Sequence, residues 1–293
     1  MNNQTGIFNS SLARRSLSQT TFAYWIPFAK SFSSLPDVVL NLQKINILPG
    51  ASTVGIDTLA SNITQQGFTV QVSTTRDTNI SEVAGQWMAV PSQPPTWTTD
   101  YQTGHFGILS ERERADTGHT NTVGDVIFVR PYATAPRVVV WITSFDFGVG
   151  AAWRLNAFPT NIRGRGFTVN VNTWANTVLY SANVSWVAWP AEEKSVFGNY
   201  WHPQVARLNG TGDDVETAGF GNTSFVSFNK GVPRRMFPEL VMGFSQFDVS
   251  KGPRGMKLRI ENGVSREGTS CTVRSFGNVT LNNNVNLGWL AAT

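Results

Sequence analysis

The chain has 293 residues, 23 Lys plus Arg against 19 Asp plus Glu, and a net charge of +4. Its 41% hydrophobic content, with 10 Trp and 19 Phe, is enough to bury a substantial core, which excludes a disordered chain. Charged residues reach only 14%, well under the roughly 25% of an average globular protein, so hydroxyls and amides must supply much of the polar surface.

In chain order, the first landmark is Gln4-Thr5-Gly6, followed by Pro36 with the apolar run Val38-Val39-Leu40 and then Ile45-Asn46. Gly67-Phe68-Thr69-Val70 and Trp87-Met88-Ala89 close this stretch, and the Pro-rich joint Pro91 to Pro95 ends it. The same landmarks then return as Gln102-Thr103-Gly104, Pro136 with Val138-Val139-Val140, Phe145-Asp146, Gly166-Phe167-Thr168-Val169 and Trp186-Val187-Ala188. A third pass keeps Pro238 with Leu240-Val241-Met242, Phe247-Asp248 and Trp289-Leu290-Ala291. Length alone suggests about two domains, but landmarks kept in order at one period predict three copies. Their expected bounds are 1–92, 99–191 and 195–293.

Each copy reads as β. Arg137 to Ile142 is a β-branched apolar run suited to a strand buried on both faces. Phe167 to Trp174 alternates strictly, and Val178 to Trp186 does so in part, the period-two pattern of half-buried strands. Trp174-Ala175-Asn176-Thr177 between them reads as a polar hairpin connection. No stretch keeps a helical period, and Ser11 to Ser18 allows one short turn at most. The expected fold is all-β: three six-stranded antiparallel sandwiches, tied closely enough to pack as an internal pseudo-trimer. The three tryptophans, with Phe68 and Phe167, are expected core residues. Phe145-Asp146 reads as a strand end with the carboxylate capping a loop.

Several function classes fall away. No apolar run approaches the roughly 18 residues of a membrane span. Cys271 is the only cysteine, so there is no internal disulfide or cysteine zinc site. His105, His119 and His202 are scattered outside any ligand spacing, so neither a metal nor another cofactor is expected. The pI is near 9.4, but the cations are dispersed. The densest groups, Arg14-Arg15, Arg112/Arg114, Arg163/Arg165 and Arg234-Arg235, make no basic stripe, so nucleic acid is not an expected partner. Glu192-Glu193 and Asp213-Asp214 are adjacent acids rather than a converging pair, and no GxSxG elbow is present. An enzyme is not expected. The first residues have no apolar h-region, which gives a cytoplasmic expectation.

The second copy resembles the H-type lectin domain of snail agglutinins and discoidin C-termini. The likeness runs from Gln102-Thr103-Gly104 through Pro131-Tyr132 and Pro136-Arg137-Val138-Val139 to Trp174 through Ser181 and Val184-Ser185-Trp186. The resemblance implies a six-stranded sandwich, three domains around a threefold axis, and binding of N-acetylgalactosamine or galactose between neighbouring domains. The residues agree with a sugar site. Arg154 offers a rigid fork of donors, Trp174 and Tyr180 offer flat surface with an N–H and an O–H, and Asn176 can donate and accept.

The resemblance makes Arg154, Trp174 and Tyr180 sugar-site positions, with Asp116 as the acidic residue from the preceding loop. Family members commonly carry His after the Trp where this chain has Ala175, so the preferred sugar can differ. In the first copy Thr75, Arg76 and Ser81 hold the positions of Trp174, Ala175 and Tyr180, with no clear counterpart of Arg154. In the third, Lys257 stands near the Arg position, with Gly277, Asn278 and Asn283 at the others; Lys257 and Asn278 are weaker candidates. The expected function is a lectin for glycans of glycoproteins or glycolipids, monomeric with an internal pseudo-threefold. The alternatives are a structural or adhesive protein that has lost sugar binding, or a virus-like attachment module.

Overall fold

The computed structural model describes residues 3–13, 20–91, 101–108, 121–202, 208–209, 220–227, 239–250, 255–265, 268–275, 280–282 and 285–292. Among them there is no α-helix, only a 3-10 turn at Ser10–Ala13, and no helix is long and apolar enough to cross a membrane.

The first segment forms β1 (Gln4–Asn9), β2 (Thr21–Pro27), β3 (Pro36–Leu40), β4 (Lys44–Ile47), β5 (Thr53–Ser61), β6 (Gly67–Thr74) and β7 (Ile80–Pro91). The second forms β8 (Gln102–Ile108), β9 (Asn121–Ile127), β10 (Arg137–Gly148), β11 (Trp153–Arg163), β12 (Gly166–Asn172) and β13 (Leu179–Trp189). The third forms β14 (Val196–Trp201), β15 (Leu208–Asn209), β16 (Phe220–Ser227), β17 (Glu239–Val249), β18 (Met256–Val264), β19 (Gly268–Ser275), β20 (Thr280–Leu281) and β21 (Asn286–Ala292).

No sheet belongs to one segment. One runs β2-β6-β5-β10-β13-β8, joining the first segment to the second at β5–β10. Another runs β14-β21-β17-β11-β12-β9, joining the third to the second at β17–β11. The last runs β1-β7-β4-β18-β19-β16, with β3 also on β7, joining the first to the third at β4–β18. Each segment therefore divides its strands between two sheets, and every joint is a main-chain ladder.

The turn Trp174 to Thr177 departs from the hairpin expected of it. It connects β12 and β13, which lie in different sheets, and so crosses the sandwich at one end. Strands packed face to face carry the same alternation as strands paired edge to edge, so the pattern cannot tell the two apart.

The repeated tripeptides now have a physical reason. Gly6 lies opposite Trp87 and Gly104 opposite Trp186, and a Cβ at either glycine would sit 2.7 Å from the indole. The Gln102 amide donates to the Arg130 carbonyl at 2.7 Å and accepts from its N–H at 3.1 Å; Gln4 does the same for Lys30. Trp87, Trp186 and Trp289 are 5–6% exposed and sit in one large core with Phe68, Phe167 and Phe145.

A second apolar cluster holds matched pairs from all three segments, Val39 with Met88, Val139 with Val187, and Val241 with Leu290, each no more than 2% exposed. This explains the unbroken run at 138–142. Val138 and Val140 face the sandwich core, while Val139 and Trp141 face the cluster shared with the other segments. Trp141 also donates from its indole N–H to the Gly288 carbonyl at 2.8 Å, fastening the second segment to the third. At about 1.5–3 kcal/mol per buried large aliphatic side chain, this shared cluster binds the segments as firmly as an ordinary core binds sheets.

Candidate functional site

The three joints between segments place equivalent residues opposite one another. Arg154 on β11 faces Asp248 on β17, Gly55 on β5 faces Asp146 on β10, and Lys257 on β18 faces Asn46 on β4. The first segment thus does have a position matching Arg154, and it is Gly55. Asp146 and Asp248 sit near strand ends, as the Phe-Asp pairs suggested, and each carboxylate accepts from a loop residue, Thr75 and Asn282 respectively. There each long strand pairs along one edge with a strand of the neighbouring segment, β10 with β5 and β17 with β11.

At the joint between second and third segments, the Arg154 guanidinium is held on two sides. Its Nε lies 3.3 Å from Asp248 Oδ1, and its Nη1 donates to Asn176 Oδ1 at 3.0 Å and to Thr177 Oγ1 at 3.2 Å. The side chains of Arg154 and Asp248 are 17% and 7% exposed, so the pair is largely withdrawn from water yet open along one edge. Asp248 is itself fixed, because Asn282 Nδ2 donates to the same carboxylate oxygen at 2.7 Å and the Asn282 N–H donates to the Asp248 carbonyl at 2.8 Å. Thr177 is buried and its hydroxyl donates a hydrogen bond to the Ala152 carbonyl at 2.7 Å, locking the turn to the start of β11. With Nε and Nη1 engaged, Nη2 makes no hydrogen bond or ion pair among the described residues.

The turn itself carries the rest. Ala175 adopts φ 56°, in the left-handed region, which turns the chain so that Asn176 is exposed beside the guanidinium and Trp174 stays half-buried. Arg76 at the matching place in the first segment has φ 46°, so the backbone plan, and not the residue type, imposes this conformation. Tyr180 is half-buried on β13, its hydroxyl against Gly148, where a Cβ would come within 3.2 Å. Arg154 and Asn176 are in direct contact, Trp174 is in the same turn, and Tyr180 reaches the neighbouring corner through Gly148. Asp116 and Asn278 lie outside the described residues. Lys257 is 3% exposed, buried beside Asn46, whose buried Oδ1 has no hydrogen-bond partner.

The sequence reasoning missed Asp248, Thr177 and Asn282. A signal existed for two of them. Phe-Asp recurs at 145–146 and 247–248, and Thr78 matches Thr177, each donating to the chain at the start of the facing strand. Asn282 carries no repeat signature.

The arrangement presents a planar cation with one free edge, an amide beside it and an indole in the same turn. Such a set can make paired hydrogen bonds to vicinal oxygens and stack on an apolar face. Among the described residues no group of three His, Cys, Asp or Glu could hold a metal ion.

Residues 24–90 and 123–189 each match the H-type lectin domain. No curated protein matches the chain. Among solved structures, recombinant discoidin II of Dictyostelium discoideum is similar at 14% identity and a TM-score of 0.29, covering 57% of this chain and 77% of that one. The wild-type discoidin II of the same organism gives 14% identity and 0.28, covering 56% and 75%.

Proposed function

We propose that this protein, whose residues 24–90 and 123–189 match the H-type lectin domain, is a carbohydrate-binding lectin without catalysis, acting at the joint between its second and third segments. The carrying observation is the Arg154 guanidinium, held by Asp248 from one side and by Asn176 and Thr177 from the other. A guanidinium held in this way loses little further freedom when a ligand binds its open edge. Its ligand is a neutral sugar of the N-acetylgalactosamine or galactose type. Two neighbouring hydroxyls take the free Nη2 edge and the Asn176 amide, and the C–H face of the ring takes Trp174.

The three segments, at 1–92, 99–191 and 195–293, act as one monomer with an internal pseudo-threefold. The cyclic sharing of sheets and the matched triplets of the second apolar cluster support this reading. The joints are not chemically equal, so multivalent binding to a glycan surface would require several chains.

The test is calorimetric titration with N-acetylgalactosamine, after a glycan array has ranked the sugars. Trp174→Ala and Arg154→Ala are expected to weaken binding at least tenfold, with thermal melts confirming that both variants fold. If both variants bind as the wild type does, the site is misplaced. If the wild type binds no glycan, the lectin reading fails.

A further inference from the structure

The hairpin at the far end of β11 carries a pair of arginines that the sugar site does not use. Arg163 and Arg165 flank Gly164 at the tip joining β11 to β12, and both are exposed. Among the described residues neither guanidinium makes a hydrogen bond or an ion pair. They rim a depression of about 430 Å³ on the outer face of the sheet edge. Gly166 forms its floor, with Asp125, Ile127, Asn161 and Thr168 along its sides. That volume falls in the range of small-molecule sites.

The first segment shows what this corner looks like without a ligand task. Its turn holds the same backbone. Asn62 and Asn161 both sit in the left-handed region, at φ 48° and 51°. Phe28 and Phe32 donate to the carbonyls of Gln66 and Gln65 at 2.8 Å, as Phe128 and Tyr132 donate to Arg165 and Gly164 at 3.0 and 2.7 Å. There, however, Thr64 and Gln66 stand where the arginines do, and Thr64 ties the turn by accepting from the Gln66 N–H at 3.1 Å. The depression is also covered, because Trp25 takes the place of Asp125 and lies over Gly67, 2.6 Å from where a Cβ would be. The turn therefore needs neither arginine, and of these two corners the open one is the one that carries them.

We infer that this corner is a second, independent glycan site that takes an oxyanion, the sulfate of an acidic sugar, between Arg163 and Arg165. Two forked cations at one hairpin tip match such an oxyanion by paired, charge-assisted hydrogen bonds. Asn161 and Asp125, whose Oδ1 accepts from the Thr168 hydroxyl at 3.0 Å, offer partners to ring hydroxyls. Asp125, Asn161 and Thr168 supply hydrogen-bonding groups beside the exposed side chain of Ile127, so the depression offers both polar partners for ring hydroxyls and an apolar patch for the C–H face of a sugar. Arg154 and Arg163 stand at opposite ends of one strand, about 30 Å apart at the usual rise, so one monosaccharide cannot occupy both sites.

The test uses the full chain and a fluorescent sulfated heparin octasaccharide, read by polarisation, beside the same octasaccharide chemically desulfated. Arg163→Gln/Arg165→Gln is expected to weaken the sulfated probe at least tenfold, leaving the melting temperature and N-acetylgalactosamine binding unchanged. The sulfated probe should also weaken steeply with salt. The equally exposed pair Arg76→Gln/Arg137→Gln removes the same net charge and is expected to change binding less than twofold. The inference is overturned if the hairpin variant binds as the wild type does, if the control pair costs as much, or if the desulfated probe binds equally well. Binding of phosphatidylserine vesicles through these arginines, with no binding of the octasaccharide, would overturn it too. Because N-acetylgalactosamine binding is read separately, failure here and failure at Arg154 are distinguishable.

Discussion

The joint between the second and third segments and the joint between the first and second share a backbone plan and end in different chemistry. Both set an aspartate on a long strand opposite a residue of the neighbouring segment, and both close with a turn whose second residue has positive φ. In the former the facing residue is Arg154, and Asp248 binds its Nε. In the latter it is Gly55, and Asp146 accepts the Thr75 hydroxyl at 3.1 Å instead. A Cβ at Gly55 would fall 2.0 Å from Thr75 Oγ1 and 2.9 Å from Asp146 Oδ1, so the volume an arginine would need is already filled. Exchanging Trp174 for a threonine and Arg154 for a glycine closes the corner on itself. The closed joint keeps an aspartate, Asp146 of the second segment, but as a structural hydrogen-bond acceptor.

The comparison is most easily broken at the aspartates. Asp248→Ala is expected to abolish measurable sugar binding. It should also cost about 1–3 kcal/mol in denaturant unfolding, because Arg154 and Asn282 both lose a partner. Asp146→Ala should cost about 1 kcal/mol or more and leave binding intact, since it removes the acceptor of the Thr75 hydroxyl away from Arg154. Equal effects from the two would show that the joints are functionally alike. Next, Gly55→Ala should destabilise by about 1–3 kcal/mol through overpacking against Thr75, again without touching binding. Unchanged stability there would mean the closed joint has room to open.

Thr177→Val and Thr78→Val sharpen the contrast further. Each removes a hydroxyl that ties its turn to the chain at the start of the facing strand, at about 1 kcal/mol. Only the former should weaken sugar binding, by a few fold, because only Thr177 also holds Arg154.

The smallest effect is expected at the remaining joint's sheet. Cys271 is fully buried on β19, and burial pushes its thiol up to about 12 from the usual 9.0. A raised folded pKa gives stability that is complete below about 9 and lost as pH climbs towards about 12. Cys271→Ser should flatten that alkaline decline in urea melts. A decline unchanged by the substitution would assign it to other groups.

Much of this was legible in the residues, and for definite reasons. The core tryptophans could be read because each must be matched by a small neighbour, and Gly6 and Gly104 recur with them. Both-face burial at 138–142 could be read because a strand covered on two sides loses its alternation. Arg154, Asn176 and Trp174 were recognisable as a set through the resemblance to H-type lectins, and the structure puts Arg154 and Asn176 in contact. The hairpin assigned to 174–177 failed because alternation is blind to whether two strands share a sheet. Asp248 failed because its importance lies in what it faces, and nothing in a Phe-Asp pair names a partner from another segment.

The sequence by itself determined that the chain is β, that its landmarks repeat three times, and that one copy carries residues that resemble those of a sugar site. Those are properties of local patterning, since alternation, turn residues and recurrence are written along a strand. Only the tertiary structure decided that every sheet is shared between two segments, that Asp248 completes the Arg154 site, and that Gly55 leaves its counterpart closed. The physical reason is that a strand's edge is two rows of identical main-chain donors and acceptors. Which neighbour docks on that edge, and in what register, is settled by burying both faces of the long strands at once, a condition no single stretch of sequence contains.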